Sequence, residues 1–317
     1  MKRAILVFAC LAAGAACAQE YPSRPIRVVV PYSAGGSSDG PMRVIAQEMS
    51  KQLGQQMVVE NKPGQGAMLG SADVVKAPAD GYTLLLASNP NAISASLYSR
   101  LTHDPVEDFT PISLLASEQA VLLVNPSVPA KTLREFIAYA KERPGKVDYS
   151  SSGNGSAQHL FMAMFATMAG IQLNHIPYKG SAQAVTDLLG GQVSAAMPGL
   201  AAMRGHIREG RARALAVTGA KRASAAPEIP TMIEQGLKDY ELYVWMGMLA
   251  PKGTPAPVIE RLHREFTTAL RAPAVKSFMD GAAIEAVGST PAQFGAFFRE
   301  EKVRWAKLIK ETGARID

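Results

Sequence analysis

The stretch IRVVVPYSAGGSSD, residues 26–39, decides the fold. Residues 26–30 form a short apolar run rich in β-branched side chains and ended by Pro31, which predicts a buried strand. The glycine pair Gly35-Gly36 predicts a tight turn, and a helical pattern follows at about residues 41–53. A strand, a glycine turn and a helix in succession are typical of a parallel α/β unit.

The same alternation continues along the chain and then repeats. Predicted strands lie at 57–60, 82–87, 121–124, 147–150, 173–176, 193–197 and 212–217, and predicted helices at 68–76, 133–141, 157–168 and 182–189. A mostly helical tail covers 255–312. This pattern predicts two α/β lobes joined near 124–126 and again near 240–250. We place lobe 1 at 19–124 plus 245–317 and lobe 2 at 125–244, an arrangement that suits a hinged ligand cleft.

The first eighteen residues resemble an export signal. Lys2 and Arg3 precede an uncharged apolar run at 4–16, and Ala16-Cys17-Ala18 is a suitable cleavage site. We expect cleavage after Ala18 and a periplasmic mature protein. A retained N-terminal anchor is one alternative. A lipoprotein acylated at Cys17 is another, although the usual Leu three positions before the Cys is missing.

Composition excludes several classes of function. Both cysteines lie in the leader, so the mature chain can form no disulfide and has no thiol nucleophile. The formal charge of +6 falls to +4 without Lys2 and Arg3, and no block of basic residues suggests nucleic-acid binding. The five histidines show no H-E-x-x-H spacing, so we expect neither a metal nor another cofactor.

The loop at 34–39 is the first candidate binding element. The first N–H groups of a helix lack partners and carry partial positive charge, and glycines let an anion approach the backbone. Ala34, Gly35 and Gly36 therefore form a candidate anion site, with an ordinary strand-to-helix turn as the alternative. Asp39 either caps the helix or contacts the ligand. The dinucleotide spacing G-x-G-x-x-G is absent.

A second glycine-bearing loop occupies the equivalent position in the second α/β unit. Ser152, Gly155 and Ser156 follow a predicted strand, and Ser156 is a suitable N-cap for the next helix. We expect the two loops to face one cleft. His159 lies one helical turn after Ser156, so a hydrolase pair is an alternative. The G-x-S-x-G elbow is absent, which favours a His159 that packs or hydrogen-bonds.

Three further segments are predicted to line the cleft. Gly66 and Ala67 precede a helix, Ser88 and Asn89 follow a strand, and Tyr178 ends a strand of the second unit. Helix capping alone is the alternative interpretation for Gly66 and Ala67.

The mature chain resembles the Bug family, the extracytoplasmic receptors of tripartite tricarboxylate transporters. The similar segments run in order along the chain: 21–26 (YPSRPI), 31–39, 58–64 (VVENKPG), 80–84 (DGYTL), 108–112 (DFTPI), 152–160, 175–180 (HIPYKG), 215–218 (LAVT) and 250–255 (APKGTP). The chain departs from the family pattern at Met42, at Gln65-Gly66-Ala67 and at His103. The changes at Gln65 and Ala67 bear on which ligand is bound.

The resemblance implies a type II periplasmic-binding-protein fold. It also implies that two loops, here 34–39 and 152–156, grip a carboxylate through backbone N–H groups, hydroxyls and water, with Gly66 and Ala67 as a supporting wall. The implied ligand is a small organic acid or related solute, and the implied partners are membrane permease subunits, served by a monomeric receptor. A role in feeding a signalling system is the alternative.

Overall fold

The computed structural model describes residues 21–35, 38–98 and 101–312 of the 317-residue chain. The predicted export signal, its cleavage site, Gly36 and Ser37 lie outside the described residues. Within the described ranges, no helix has the length and apolar character needed to cross a membrane.

The first sheet has six strands in the order β11-β4-β10-β3-β1-β2. These strands are β1 (Ile26–Val30), β2 (Met57–Asn61), β3 (Thr83–Ser88), β4 (Phe109–Gln119), β10 (Tyr243–Pro251) and β11 (Glu285–Ala286). β1 pairs in parallel with β2 and β3, whereas β10 is antiparallel to both β3 and β4. β4 therefore runs in the same direction as β1, β2 and β3.

Helices cover both faces of this sheet, because its strands are apolar on both sides. The helices of lobe 1 are α1 (Asp39–Leu53), α2 (Met68–Val75), α3 (Asn89–Leu97), α8 (Ala256–Arg271), α9 (Pro273–Gly281) and α10 (Pro291–Thr312). α1, α8 and α9 enclose one apolar cluster with side chains such as Val28, Met248 and Phe266. α3 and α10 cover the other face.

The second sheet has five strands in the order β7-β6-β8-β5-β9. These strands are β5 (Val121–Val124), β6 (Asp148–Ser151), β7 (Asn174–Pro177), β8 (Ala195–Ala196) and β9 (Arg213–Val217), and the helices around them are α4 (Leu133–Lys141), α5 (Ala157–Ala169), α6 (Ser181–Leu189) and α7 (Leu200–Arg208). β6 is parallel to β7 and β8, and β5 is antiparallel to β8. The chain is thus a two-lobed α/β protein.

The chain passes between the two sheets twice, after β4 and before β10, and these two crossings meet at Thr218. Its N–H donates to Ala120 O and its hydroxyl donates to Leu242 O, while Ala120 N–H donates to the Thr218 hydroxyl. Thr218 is fully buried, so these bonds hold both crossings at one hinge. The first crossing falls at Ala120, since β5 belongs to the second sheet. The junction was predicted at 124–126, at the end of β5.

Helix α10 forms a third connection between the lobes. Its Trp305 stacks on Phe161 of α5, with ring centroids 5.9 Å apart. The buried Glu301 accepts hydrogen bonds from the indole N–H groups of Trp245 and Trp305, each at 3.0 Å. The apolar core consequently runs without interruption behind the hinge from one lobe to the other.

Candidate ligand-binding site

Topology brings the carboxyl ends of the parallel strands of both sheets to the hinge. In lobe 1 the strands β1 to β4 all point to the edge where β4 ends and the chain crosses at Ala120. In lobe 2 the strand β8 ends at Ala196, and Gly199, which follows it, pairs with Ala120 at the hinge. Ligands of open α/β sheets bind beyond such carboxyl ends. At these two edges, Ala34 and Gly35 follow β1 and Ser38 precedes α1 in lobe 1, and residues 152–156 follow β6 in lobe 2.

Asp39 organises the lobe 1 loop. Its Oδ2 accepts from Gly35 N–H at 2.9 Å and from Arg43 Nε at 3.0 Å, and its Oδ1 accepts from Asn61 Nδ2 at 2.9 Å. The residue is only 3% exposed. Burial raises the pKa of this carboxyl, but the hydrogen bonds from Arg43, Gly35 and Asn61 outweigh burial and hold the pKa below its ordinary value. Asp39 is therefore an ionised group that fixes the loop.

This arrangement gives the Gly35 N–H a partner within its own loop. The Gly35 N–H, expected to bind an anion, donates to Asp39 instead. Gly35 has φ of 75°, so glycine relieves backbone strain here. Ala34 and Gly35 are exposed, and Ser38 lies at the start of α1 without a side-chain capping bond. In lobe 1, the backbone N–H groups that remain for a ligand are the unpaired ones in the first turn of α1.

The lobe 2 loop is held by uncharged groups. The Ser156 hydroxyl caps α5 by accepting from His159 N–H at 3.3 Å, and Gly155 N–H donates to His159 Nδ1 at 3.1 Å. Because Nδ1 accepts, the proton of a neutral His159 ring is on Nε2. As at Gly35, the N–H of Gly155 is used within the loop. Ser152 is half-buried in the same loop.

Beneath this loop lies a stack of aromatic rings. The imidazoles of His159 and His175 are parallel with centroids 4.0 Å apart, and Tyr149 stacks on the other side of His175. His175 Nε2 and Ser151 Oγ share a hydrogen bond of 2.6 Å. Burial lowers the pKa of His159, and burial together with the charge of His159 lowers the pKa of His175 to about 4. Both rings are neutral at pH 7.

Gly66 and Ala67 form a constrained entry into α2. Both have positive φ, of 59° and 75°, which is unusual for alanine. The Gly66 carbonyl accepts from Ser94 Oγ at 2.9 Å, and the Ala67 carbonyl accepts from the buried Ser71 at 3.0 Å. Gly66 is exposed at the carboxyl end of β2, whereas Ala67 is buried.

Ser88 and Asn89, which we predicted to line the cleft, are buried at the start of α3. They are 4% and 0% exposed, and their side chains bond to the backbone of β10. Ser88 Oγ donates to Trp245 O, Asn89 Nδ2 donates to Tyr243 O at 3.0 Å, and Asn89 Oδ1 accepts from Trp245 N–H at 3.2 Å. These bonds join the end of β3 and the start of α3 to β10, the strand that follows the second crossing.

Tyr178 also has a partner within its own lobe. Its hydroxyl donates to Asp187 Oδ2 at 2.6 Å, and this bond raises the pKa of Tyr178 to about 12. The half-buried ring follows the carboxyl end of β7. Any contact with a ligand would therefore involve the ring, since the hydroxyl is occupied.

Sequence reasoning missed Glu118. This residue is the last but one of β4, two residues before Ala120 at the hinge, and it is 8% exposed. Its carboxyl accepts from Ala201 N–H of α7 at 3.2 Å. Burial raises its pKa to about 7, although the bond from Ala201 opposes this rise. The available signal was one acidic residue within the otherwise uncharged run at 109–124. Within the described ranges, no group of three His, Cys, Asp or Glu side chains could hold a metal ion.

Comparison with known proteins identifies relatives over nearly the whole chain. Residues 42–314 match the family described as "Tripartite tricarboxylate transporter family receptor". Protein BugT of Bordetella pertussis is 39% identical over 94% of this chain and 92% of its own length. The solved periplasmic binding protein BugD is 35% identical with a TM-score of 0.84, covering 93% of this chain and 99% of that one. An R. palustris protein solved with adipate is 33% identical with a TM-score of 0.86, covering 94% and 100%.

Proposed function

The chain belongs to the tripartite tricarboxylate transporter receptors, the Bug family, and from this premise we propose that it captures a small organic acid between its two lobes. The resemblance seen in the sequence is thereby confirmed, as is the two-lobed fold of periplasmic binding proteins. The family is one of substrate-binding receptors, and a solved neighbour carries a dicarboxylate, adipate.

One observation carries the proposal. Two helices, α1 and α5, begin directly after loops that leave the carboxyl edges of different sheets, and both edges adjoin the hinge. Each helix start supplies N–H groups and positive potential suited to a carboxylate. A ligand held by both loops would make contacts available only when the lobes are together, and such differential contacts drive closure.

The two loops would contribute unequally to an acid's binding. Helix α1 carries Asp39 in its first turn, and its charge is offset by the ion pair with Arg43 at 3.0 Å. Helix α5 has no acidic residue in its first turn. An anion near the start of α5 meets the helix dipole without a nearby carboxylate, so we assign the stronger carboxylate contact to lobe 2.

The geometry disfavours the hydrolase alternative. A serine nucleophile needs the ring of a base within hydrogen-bond reach of its hydroxyl. Here Ser156 Oγ accepts from the backbone N–H of His159, while the ring Nδ1 accepts from Gly155. The serine and the histidine thus act as a helix cap and as a loop anchor.

Delivery, location and lobe boundaries complete the proposal. We propose a monomeric periplasmic receptor, exported through a signal cleaved after Ala18, that presents its closed form to the permease of a tripartite transporter. We propose lobe 1 at 19–119 with 243–317 and lobe 2 at 121–242, a shift of a few residues from 19–124 with 245–317 and 125–244 that is supported by the membership of β5 in the second sheet. Feeding a signalling system is the alternative, and loss of uptake on deletion of the permease would separate the two.

Calorimetry of the mature chain against a panel of dicarboxylates, aromatic acids and amino acids tests the proposal. We expect binding of at least one acid, weakened by Ser156→Ala. Thr132→Ala is the matched control, because Thr132 caps α4 by the same type of bond, to Glu135 N–H at 3.2 Å, outside the two cleft loops. Absence of binding to every acid, on folded protein first freed of ligand, would refute the proposal.

A further inference from the structure

Glu118 connects the two lobes beside the hinge. It lies on β4 in lobe 1, and its Oε2 accepts from Ala201 N–H in the first turn of α7 in lobe 2, at 3.2 Å. Gly199 leaves the space that the carboxyl group occupies, because a Cβ at this position would lie 2.5 Å from Glu118 Oε1. A side chain at position 199 would displace the carboxyl of Glu118. The hydrogen bond from Ala201 N–H to Glu118 therefore requires that β4 and the start of α7 lie close together.

The same carboxyl borders the floor of the proposed cleft. It lines a cavity of about 20 Å³ together with Ser38, the residue that precedes α1, and with apolar neighbours such as Trp245 and Ile284. A space of this size holds about one water molecule. Ser38 ends the loop that we propose for the ligand's carboxylate, so an ionised Glu118 would place a second negative charge near that carboxylate.

The charged groups around Glu118 do not neutralise it. On α7, which carries the bonded Ala201, these groups are Arg204, His206 and Arg208. Those on the other neighbouring elements are Asp39 at the start of α1, Tyr243 on β10 and Glu285 on β11. Asp39 is paired with Arg43, and Arg204 donates to Gly281 O at 3.0 Å. No salt bridge among the described residues includes Glu118. Its one opposing influence is the N–H of Ala201, so burial dominates and raises the pKa of the carboxyl.

We propose that Glu118 links ligand capture to proton uptake: closure of the lobes on an acidic ligand protonates this carboxyl, and capture strengthens as the pH falls. The inference rests on the proposed function, because it requires an anionic ligand in the cleft. Opening the lobes separates β4 from α7 and returns the carboxyl to water. Closing them buries the carboxyl and brings it near the ligand's negative charge. Burial and the nearby charge both favour the neutral form of Glu118.

The sign and size of the effect follow from linkage. The closed state binds more protons than the open state between the ordinary pKa of 4.5 and the raised pKa of about 7, so affinity increases as the pH falls through this window. These two pKa values correspond to about tenfold tighter binding at pH 6 than at pH 8. Proton uptake near pH 6 should approach one per ligand bound.

Calorimetry of adipate binding at pH 6, 7 and 8 tests this inference, with the best-binding acid of the panel as a second probe. Glu118→Gln keeps the shape and the acceptor for Ala201 N–H but cannot ionise. The ligand's own titration affects wild type and variant equally, so their ratio isolates Glu118. We expect the wild type to gain about tenfold relative to Glu118→Gln between pH 8 and pH 6. Glu228→Gln, an exposed glutamate, should behave as the wild type.

Thermal melts of the protein saturated with the acid, in which the lobes are closed, give a second measurement. A raised pKa in the folded state means that stability is lost as the pH rises through 7, so the melting temperature of the wild type should fall relative to that of Glu118→Gln between pH 6 and pH 8. Equal pH dependence of affinity in wild type and variant would overturn the inference and leave the proposed function standing. Absence of binding to any acid at any pH would overturn both.

Discussion

The two glycine loops occupy equivalent places in their lobes but are held by opposite kinds of chemistry. In lobe 1 an ionised and buried Asp39 accepts three hydrogen bonds, one of them from the guanidinium of Arg43. In lobe 2 a serine cap and two stacked neutral imidazoles hold the loop, with no charged group in the first turn of α5. The same topology therefore does not imply the same electrostatics.

This difference shows how one receptor can bind an anion between two similar loops. The lobe 1 loop is held by the carboxylate of Asp39, which must stay ionised, and the pKa of this carboxyl is lowered. The lobe 2 loop depends on imidazoles that must stay neutral, and their pKa values are lowered as well. Near pH 7 both loops keep these states, so a ligand meets a fixed geometry on each side.

The largest effect is expected from Asp39→Asn. The variant leaves Arg43 without its charged partner and replaces one acceptor of the buried network by a donor. Breaking a buried, hydrogen-bonded ion pair costs about 3 kcal/mol, and Arg43 is partly exposed, so a loss of about 2–3 kcal/mol is expected in urea unfolding. Glu48→Gln on the same helix, which breaks a pair with the exposed Lys51, should cost about 0.5 kcal/mol or less. Similar losses for both variants would contradict the assigned role of Asp39.

Acid should weaken lobe 2 through its stacked histidines. The pKa of His175 is about 4 in the folded chain against an ordinary 6.5, so the unfolded chain binds more protons between these values. Stability is then lost as the pH falls from 6.5 towards 4. We expect His175→Gln to lessen this loss, by about 3 °C in melting temperature at pH 4.5 relative to pH 7.5. His206→Gln, at the end of α7, is the control. If the melting temperature of His175→Gln depends on pH as that of the wild type does, the lobe 2 loop does not depend on a neutral His175.

A matched pair of glycine substitutions compares the loops directly. Gly35 and Gly155 have φ of 75° and 72°, so alanine at either position is strained by about 1 kcal/mol. We expect similar losses of stability in chemical unfolding for Gly35→Ala and Gly155→Ala. Because the stronger carboxylate contact is assigned to lobe 2, the loss of affinity in calorimetry should be larger for Gly155→Ala. A larger loss for Gly35→Ala would reverse that assignment.

The smallest effect is expected from Tyr178→Phe. The hydroxyl of Tyr178 is bonded to Asp187 and is not available to a ligand. Removing it should cost about 1 kcal/mol or less in stability and leave acid affinity unchanged within about twofold. A loss of affinity tenfold or greater would show that the hydroxyl exchanges Asp187 for the ligand.

Much of the fold followed from local patterns in the sequence. The alternation of apolar runs with helical segments located β1, β2, β3 and most strands of lobe 2, because parallel α/β units have short strands and regular helices. The pattern gave no signal for β4 or β10. Both pair antiparallel with a distant segment, and β4 carries polar residues such as Ser117 and Glu118. Such pairing depends on tertiary contacts that lie outside any local window.

The site was predicted at the level of loops and less well at the level of atoms. Glycine and serine at the ends of β1 and β6 identified where the loops lie. Sequence alone could not show that Gly35 and Gly155 donate within their own loops, since the acceptors, Asp39 and His159, also had plausible ligand roles. Ser88 and Asn89 were assigned to the cleft because they follow a strand. The contacts that bury them come from β10, more than 150 residues later, so no local pattern shows them.

A crystal structure of the mature chain with a bound acid, such as adipate, tests the central claim most directly. We predict one carboxylate of the ligand between the starts of α1 and α5, within hydrogen-bond distance of backbone N–H groups or ordered waters from both 34–39 and 152–156. Ligand density on one lobe alone, or away from the edge where Ala120 and Gly199 pair, would contradict the account.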